Sequence, residues 1–264
     1  LLPSAIADIG GQEFFAWVTT AFLVASVFAS MLVARVLASL GAAWAYLLAF
    51  ALFAAGSLGA ALAPSMELLV ATRILQGFGG GLLAGLSYSV IRDALPRHLW
   101  TRATGLVSAM WGLGTLFGPA VGGIFAQIDF WRGAFGLLTL MSVALGLMAL
   151  RSLPRQAPRD RNFGRLPVPS LTMLVLAAAA FSIAAVVPTG WPTTIALIAG
   201  TALIAAFIAV DRSAGSPVLP HITYQRGNPL KWIYLVMGIL SSAAMVEIFL
   251  PKFGQDLIGM SPLL

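Results

Sequence analysis

The sequence predicts an all-α, polytopic membrane bundle, and three observations carry that prediction. Of 264 residues, 59% are hydrophobic and only 9% charged, whereas a soluble domain carries about 25% charged residues. The apolar residues fall into runs of about 20, the length a helix needs to cross ~30 Å of hydrocarbon. Glycine recurs every four residues in two of those runs, at Gly77, Gly81 and Gly85 and again at Gly114, Gly118 and Gly122. In lipid such a stripe lets helix backbones approach closely.

Taken in order, residues 1–11 carry Pro3, Asp8 and paired glycines and read as the outlet of an apolar element into a short loop. With no Met at the start, the chain is expected to be a piece of a longer protein. Eight complete spans are expected at residues 15–37, 42–63, 68–91, 102–126, 133–151, 170–188, 192–211 and 231–250. Residues 1–152 are expected to form a first bundle, and 153–169 a cytoplasmic linker rich in Arg and Pro. That composition cannot bury a core and suits an anionic membrane surface. Residues 170–211 read as a tight pair of spans turning at Pro188-Thr-Gly-Trp-Pro192, with Trp191 at an interface. Residues 212–264 supply a connector interrupted by Pro217, Pro220 and Pro229, then the first span of a second bundle.

Charge fixes the expected orientation. Twelve of the 15 basic residues fall at one set of span ends, Arg132 and Lys252 at the other, and Arg73 inside a span. The richer side is read as cytoplasmic. The net charge of +6 does not point to nucleic acid, because the basic residues sit between apolar runs instead of forming a soluble basic face. Cysteine is absent, and His98 and His221 lie in connectors, so thiolate chemistry is excluded. No nucleophile triad, paired-carboxylate or metal constellation is evident inside the spans. The expectation is therefore no enzyme and no cofactor.

Arg73 is the outstanding candidate, since arginine in hydrocarbon costs about 2.5–3.5 kcal/mol on insertion scales. It should face the protein interior, with Gln76, Gly77 and Gly80 on the same helix side. One reading makes it a fixed charge that positions a proton-carrying carboxylate or polarises water beside it; in the other it snorkels outward or bonds backbone carbonyls to lock helices together. Pro119 removes an amide donor beside the second glycine ridge and should bend that span. Trp17, Thr19, Thr20 and Phe22 could line a cavity, and Glu247 could attract a cationic substrate or carry protons.

Several stretches together resemble the major facilitator superfamily, specifically its 14-span drug:proton antiporters. Arg73-Ile-Leu-Gln76-Gly77-Phe-Gly79-Gly80-Gly81 is similar to the family's fourth-span motif, and Gly112 to Gly123, with Gly118-Pro119 and Gly122-Gly123, to its fifth-span antiporter motif. Leu2-Pro3 through Gly10 resembles the loop leaving the first span, and Trp17-Val-Thr-Thr-Ala-Phe22 the second-span opening. The pair at 170–211 fits the insert of the 14-span group, and residues 250–262 resemble the outer end of the seventh family span. The resemblance implies an incomplete major facilitator bundle, running from the end of the first span to just past the seventh. It also implies proton-coupled export of small amphipathic or hydrophobic compounds across a lipid bilayer, in a bacterial inner membrane. Within it Arg73, Gln76 and Gly77 would serve proton coupling, and Gly114, Gly118, Pro119, Gly122 and Gly123 would form the antiporter motif. One departure stands out. The family's loop after the second span reads Gly-x-Leu-Ala-Asp-Arg-x-Gly, but here Ala38 replaces the acid and Ser39 the base, while Gly41 remains. The loss of that latch leaves a rival expectation, a transporter-like sensor or scaffold that binds without moving its ligand.

Overall fold

A computed structural model describes residues 1–153, 167–187, 190–215, 218–225 and 227–240. Most of the 153–169 linker, the tip of the 188–192 turn, Glu247 and residues 250–262 lie outside the described residues. Helix α1 (Leu2–Ile9) occupies the segment expected to be an outlet loop. Pro3 sits in its first turn, where a missing N–H costs nothing, and Gly10 and Gly11, at φ 71° and 76°, end it. A short 3-10 turn, Gln12–Phe14, then leads into α2 (Phe15–Ala61).

The α2 stretch holds two of the expected spans, folded back on each other at one residue. Gly41 has φ 74° and ψ 170°, a conformation essentially confined to glycine. Residues 15–40 and 42–61 therefore form two antiparallel arms. Val18 packs with Ala60 and Ala63 at one end of the hairpin, and Val33 with Ala45 and Ala49 at the other.

Helix α3 (Met66–Ala94) starts at Ser65, whose hydroxyl accepts from the Leu68 N–H at 3.5 Å, and lies along both arms. Its glycines make this possible. A Cβ at Gly81 would stand 2.7 Å from Ser26 Cα on the first arm, and one at Gly79 would stand 2.7 Å from Phe53 Cα on the second. Helix α5 (Trp131–Ser152) runs beside the second arm, with Gly146 facing Phe50. Both α3 and α5 run from the α1 end toward the Gly41 end, so Arg92 and Arg151 share an end with Arg35, and Arg132 lies at the opposite one.

Helix α4 (Trp100–Gln127) departs from expectation. It stays helical through Pro119, but its glycine ridge, expected to be closely packed, meets almost no neighbour among the described residues. An added Cβ would find nothing within 4 Å at Gly112, Gly114 or Gly118, and at Gly122 only Leu1 Cδ1 at 3.4 Å. Trp111, Leu116 and Phe117 on this helix are 62%, 68% and 58% exposed. The seam that packs is the one on α3, because the two arms of α2 lie opposite it. Among the described residues no helix lies opposite the α4 ridge.

Helices α6 (Val168–Val186) and α7 (Trp191–Ser213) form a second hairpin, with Gly200 under the Phe181 ring. Helix α8 (Leu230–Leu240) follows a connector that includes a 3-10 turn at His221–Tyr224. Among the described residues five helical stretches, Gln12–Ala61 among them, are long and apolar enough to cross a membrane; Val168–Ala184 and Leu230–Leu240 are shorter apolar helices. The chain is an all-α membrane helical bundle.

At the α1 end a polar clasp ties three elements together. Asp8 accepts from Arg132 in an ion pair and from Trp131 Nε1 at 3.2 Å, while Arg132 also donates to the Ala63 carbonyl at 3.0 Å. The Arg132 hydrogen bond, then that of Trp131, holds the Asp8 carboxyl below the usual carboxylate range.

Candidate functional site

Arg73 lies about two turns into α3, and its position fixes its partners. The helical register turns Arg73, Gln76 and Gly77 toward the hairpin of α2, as the sequence spacing requires. Gly77 removes the side chain that would otherwise hold the first arm away: a Cβ there would stand 3.0 Å from Phe22 Cα and 2.9 Å from Ala25 Cβ. Gly56, on the second arm, does the same opposite Gln76, whose Cα an added Cβ would approach to 2.6 Å. Gly80 faces the Phe22 ring.

In that narrow space a polar network joins α3 to both arms. Arg73 Nε donates to the Val18 carbonyl at 3.2 Å, and its Nη1 donates to Gln76 Oε1. The guanidinium carbon stands 4.3 Å from the Phe22 ring centroid, a cation–π contact. Gln76 Nε2 then donates to Ser57 Oγ at 2.7 Å, and Ser57 donates in turn to the Phe53 carbonyl at 2.8 Å. Gln76 and Ser57 are 1% and 0% exposed. Every side-chain polar atom of Gln76 and Ser57 has a partner, as burial in a low-dielectric interior demands. Among the described residues Arg73 makes no ion pair. Its present bonds are those of the backbone-carbonyl lock.

Trp17 and Thr20 do line a common cavity. It measures about 580 Å³, is almost wholly apolar, and lies between the first arm, α3 and α6, with Phe28, Phe78 and Leu171 also in its wall. Thr20 donates to the Ala16 carbonyl at 2.9 Å and is bonded to Ser182 Oγ at 2.8 Å, which ties α6 to the first arm. Phe22 lies under Arg73 instead of lining this cavity. Glu247 lies outside the described residues.

The other candidates are placed more simply. Ala38 is buried, the Ser39 hydroxyl donates to its own helix at the Val36 carbonyl, and Gly41 makes the hairpin turn. Gly114, Gly118 and Pro119 lie along the open face of α4, Gly122 is half-buried against Leu1, and Gly123 is buried. Sequence reasoning missed Ser57, Ser182 and Asp211. Asp211 is wholly buried at the end of α7 and accepts from the Val218 and Leu219 N–H groups at 2.7 and 3.0 Å and from the Tyr224 hydroxyl at 2.8 Å. Burial and that bond raise the Tyr224 pKa. A lone acid or hydroxyl inside an apolar run was the available signal for Ser57 and Asp211.

A glycine-seamed bundle of apolar helices with a buried polar relay is the architecture of a polytopic membrane protein. The chain belongs to the Major Facilitator Superfamily, whose profile matches residues 1–264. It is 46% identical to a "Probable multidrug-efflux transporter" of Mycobacterium tuberculosis over 99% of this chain and 57% of that protein. It is 26% identical to the "Multidrug transporter protein MdtP" of Bacillus subtilis over 98% of this chain and 49% of that protein. The "MFS-type transporter sphD" of Aspergillus fumigatus is also 26% identical, over 96% of this chain and 46% of that protein. The chain thus spans about half the length of the relatives it matches.

Proposed function

We propose that the complete protein is a secondary active transporter that exports small amphipathic or hydrophobic compounds in exchange for protons, by rocking two bundles about a midplane cavity. The observation that carries this reading is the buried Arg73–Gln76–Ser57 relay in a member of the Major Facilitator Superfamily. Arg73 supplies fixed positive charge to the proton site, Gln76 hydrogen-bonds within it, and Gly77 lets the first arm close over it. Gly114, Gly118, Pro119, Gly122 and Gly123 give α4 a smooth face on which the second bundle slides and seals. The names of the Mycobacterium tuberculosis and Bacillus subtilis relatives support a drug-like substrate. So does the apolar cavity at Trp17 and Thr20. Residues 1–152 belong to the first bundle, 170–211 to the two-span insert and 212–264 to the second bundle. The membrane is the bacterial inner membrane, with the Arg-rich ends in the cytoplasm.

The test is transport by the complete protein in proteoliposomes, with a fluorescent amphipathic substrate and an imposed pH gradient. Flux should follow the gradient and collapse when it is dissipated, and Arg73→Ala should uncouple the two while the protein stays folded. Substrate movement indifferent to the gradient overturns proton coupling. Ligand binding with no net flux would select the sensor reading, which the replacement of the latch residues by Ala38 and Ser39 favours.

A further inference from the structure

Where the insert meets α8, the chain builds a groove that none of the candidate residues above uses. Its cavity is about 620 Å³, within the ~300–1,000 Å³ range of ligand pockets. Lys231, Leu235 and Gly238 line it along one face of α8, opposite Ile204 and Phe207 of α7, with Leu219 of the connector along its edge. The two ends differ in chemistry. Lys231 is in the first turn of α8, its Nζ 5.6 Å from the ring centroid of Trp232. Trp232 is 61% exposed, and an aromatic beside a lysine at the start of an apolar helix marks the headgroup level of a bilayer. From Lys231 to Gly238 the helix then rises about 10 Å along apolar walls. Gly238 lines the groove at that depth, and among the described residues an added Cβ there would meet no atom within 4 Å.

The connector edge of the groove is pinned in place. Asp211, wholly buried, accepts the Val218 and Leu219 N–H groups and the Tyr224 hydroxyl. These bonds fix the connector that carries Leu219 into the groove lining. A cation at headgroup depth, a narrow apolar shaft running inward and a tethered rim together match one kind of molecule in the surrounding membrane.

We propose that this groove binds one anionic phospholipid, with its phosphate against Lys231 and an acyl chain along Gly238, and that Asp211 is the positioning residue that holds the rim. The site is independent of the direction in which the chain is inserted and of whether the protein transports. Because the readout is lipid binding, failure here and failure of proton-coupled export are distinguishable.

The experiment is native mass spectrometry of the complete protein in detergent, titrated with phosphatidylglycerol or phosphatidylcholine of matched chain length. One lysine near a membrane surface predicts a preference for phosphatidylglycerol of about fivefold. Lys231→Gln should level the two lipids, and Lys231→Arg should keep the preference. Gly238→Phe should weaken both lipids by filling the shaft, with Gly238→Leu as the smaller filler if the larger one fails to fold. Asp211→Ala should weaken both without changing their ratio. The proposal is overturned if the protein shows no phosphatidylglycerol preference, if Lys231→Gln retains it, or if folded Gly238 variants bind both lipids unchanged. The last result would place another part of the protein over the groove.

Discussion

Adding one methyl group at Gly77 should separate α3 from the first arm of α2. In Gly77→Ala the new Cβ would stand 2.9 Å from Ala25 Cβ and 3.0 Å from Phe22 Cα, and closer still to the Phe22 carbonyl oxygen. Carbon pairs rest at about 3.5–4.0 Å, so the helices must part by roughly 1 Å. The opposing atoms are backbone or Cβ and cannot rotate away. Overpacking of this kind costs about 1–3 kcal/mol, against a gain of ~1 kcal/mol when alanine replaces glycine in a helix. Gly114→Ala carries the gain alone, because among the described residues nothing lies within 4 Å of an added Cβ there. Two substitutions of the same kind, in glycine ridges with the same spacing, should therefore differ by about 1–3 kcal/mol, roughly 5–150-fold in the unfolding equilibrium. Unfolding of the 264-residue chain by SDS in mixed micelles, followed by the fluorescence of its seven tryptophans, measures this difference. Equal stability of the two variants would refute the reasoning, since it would mean that the α3 seam is as open as the α4 ridge.

Two further outcomes follow from the same geometry. Gly41→Ala forces a side chain into a conformation of φ 74° and ψ 170° and should cost about 1–3 kcal/mol in the same unfolding measurement, although the position is small and buried. Asp8, whose carboxyl the Arg132 hydrogen bond holds below its ordinary range, should stabilise the α1 clasp fully above the unfolded carboxyl's pKa of about 4. That contribution is lost as pH falls from there through the lower folded value. Thermal melts in detergent between about pH 3 and 6 should show this acid-side loss in the parent and not in Asp8→Asn, and identical pH profiles would remove the clasp from the stability of the fold.

The spans were legible because the length of an apolar run is a property of the chain alone. The runs at 68–91, 133–151 and 192–211 became α3, α5 and α7 with ends displaced by a few residues. The helical facing of Arg73, Gln76 and Gly77 was legible for the same reason, since it depends only on residues per turn. What the sequence did not disclose depends on which helix lies opposite. The ridges at Gly77 and Gly114 have the same spacing, yet one is packed and the other open. Ser57 looks like any small residue in a span until Gln76 is placed beside it at 2.7 Å. Asp211 reads as the polar end of a run, and its role depends on a connector that turns back seven residues later to meet it. Residues 1–11 looked like a loop because proline and paired glycines share the segment, but proline at a helix start and glycine past its end are how short helices are bounded.

The reversal at Gly41 also constrains how the molecule can work. A hinge of several residues would let two spans slide along each other or splay independently, whereas a reversal made by a single residue gives them one pivot and almost no slack. The paired arms should therefore travel as a single plate, with α3 fastened to both arms through the Arg73–Val18 and Gln76–Ser57 bonds. Any tilting motion must bend at the plate's margins and leave its middle rigid.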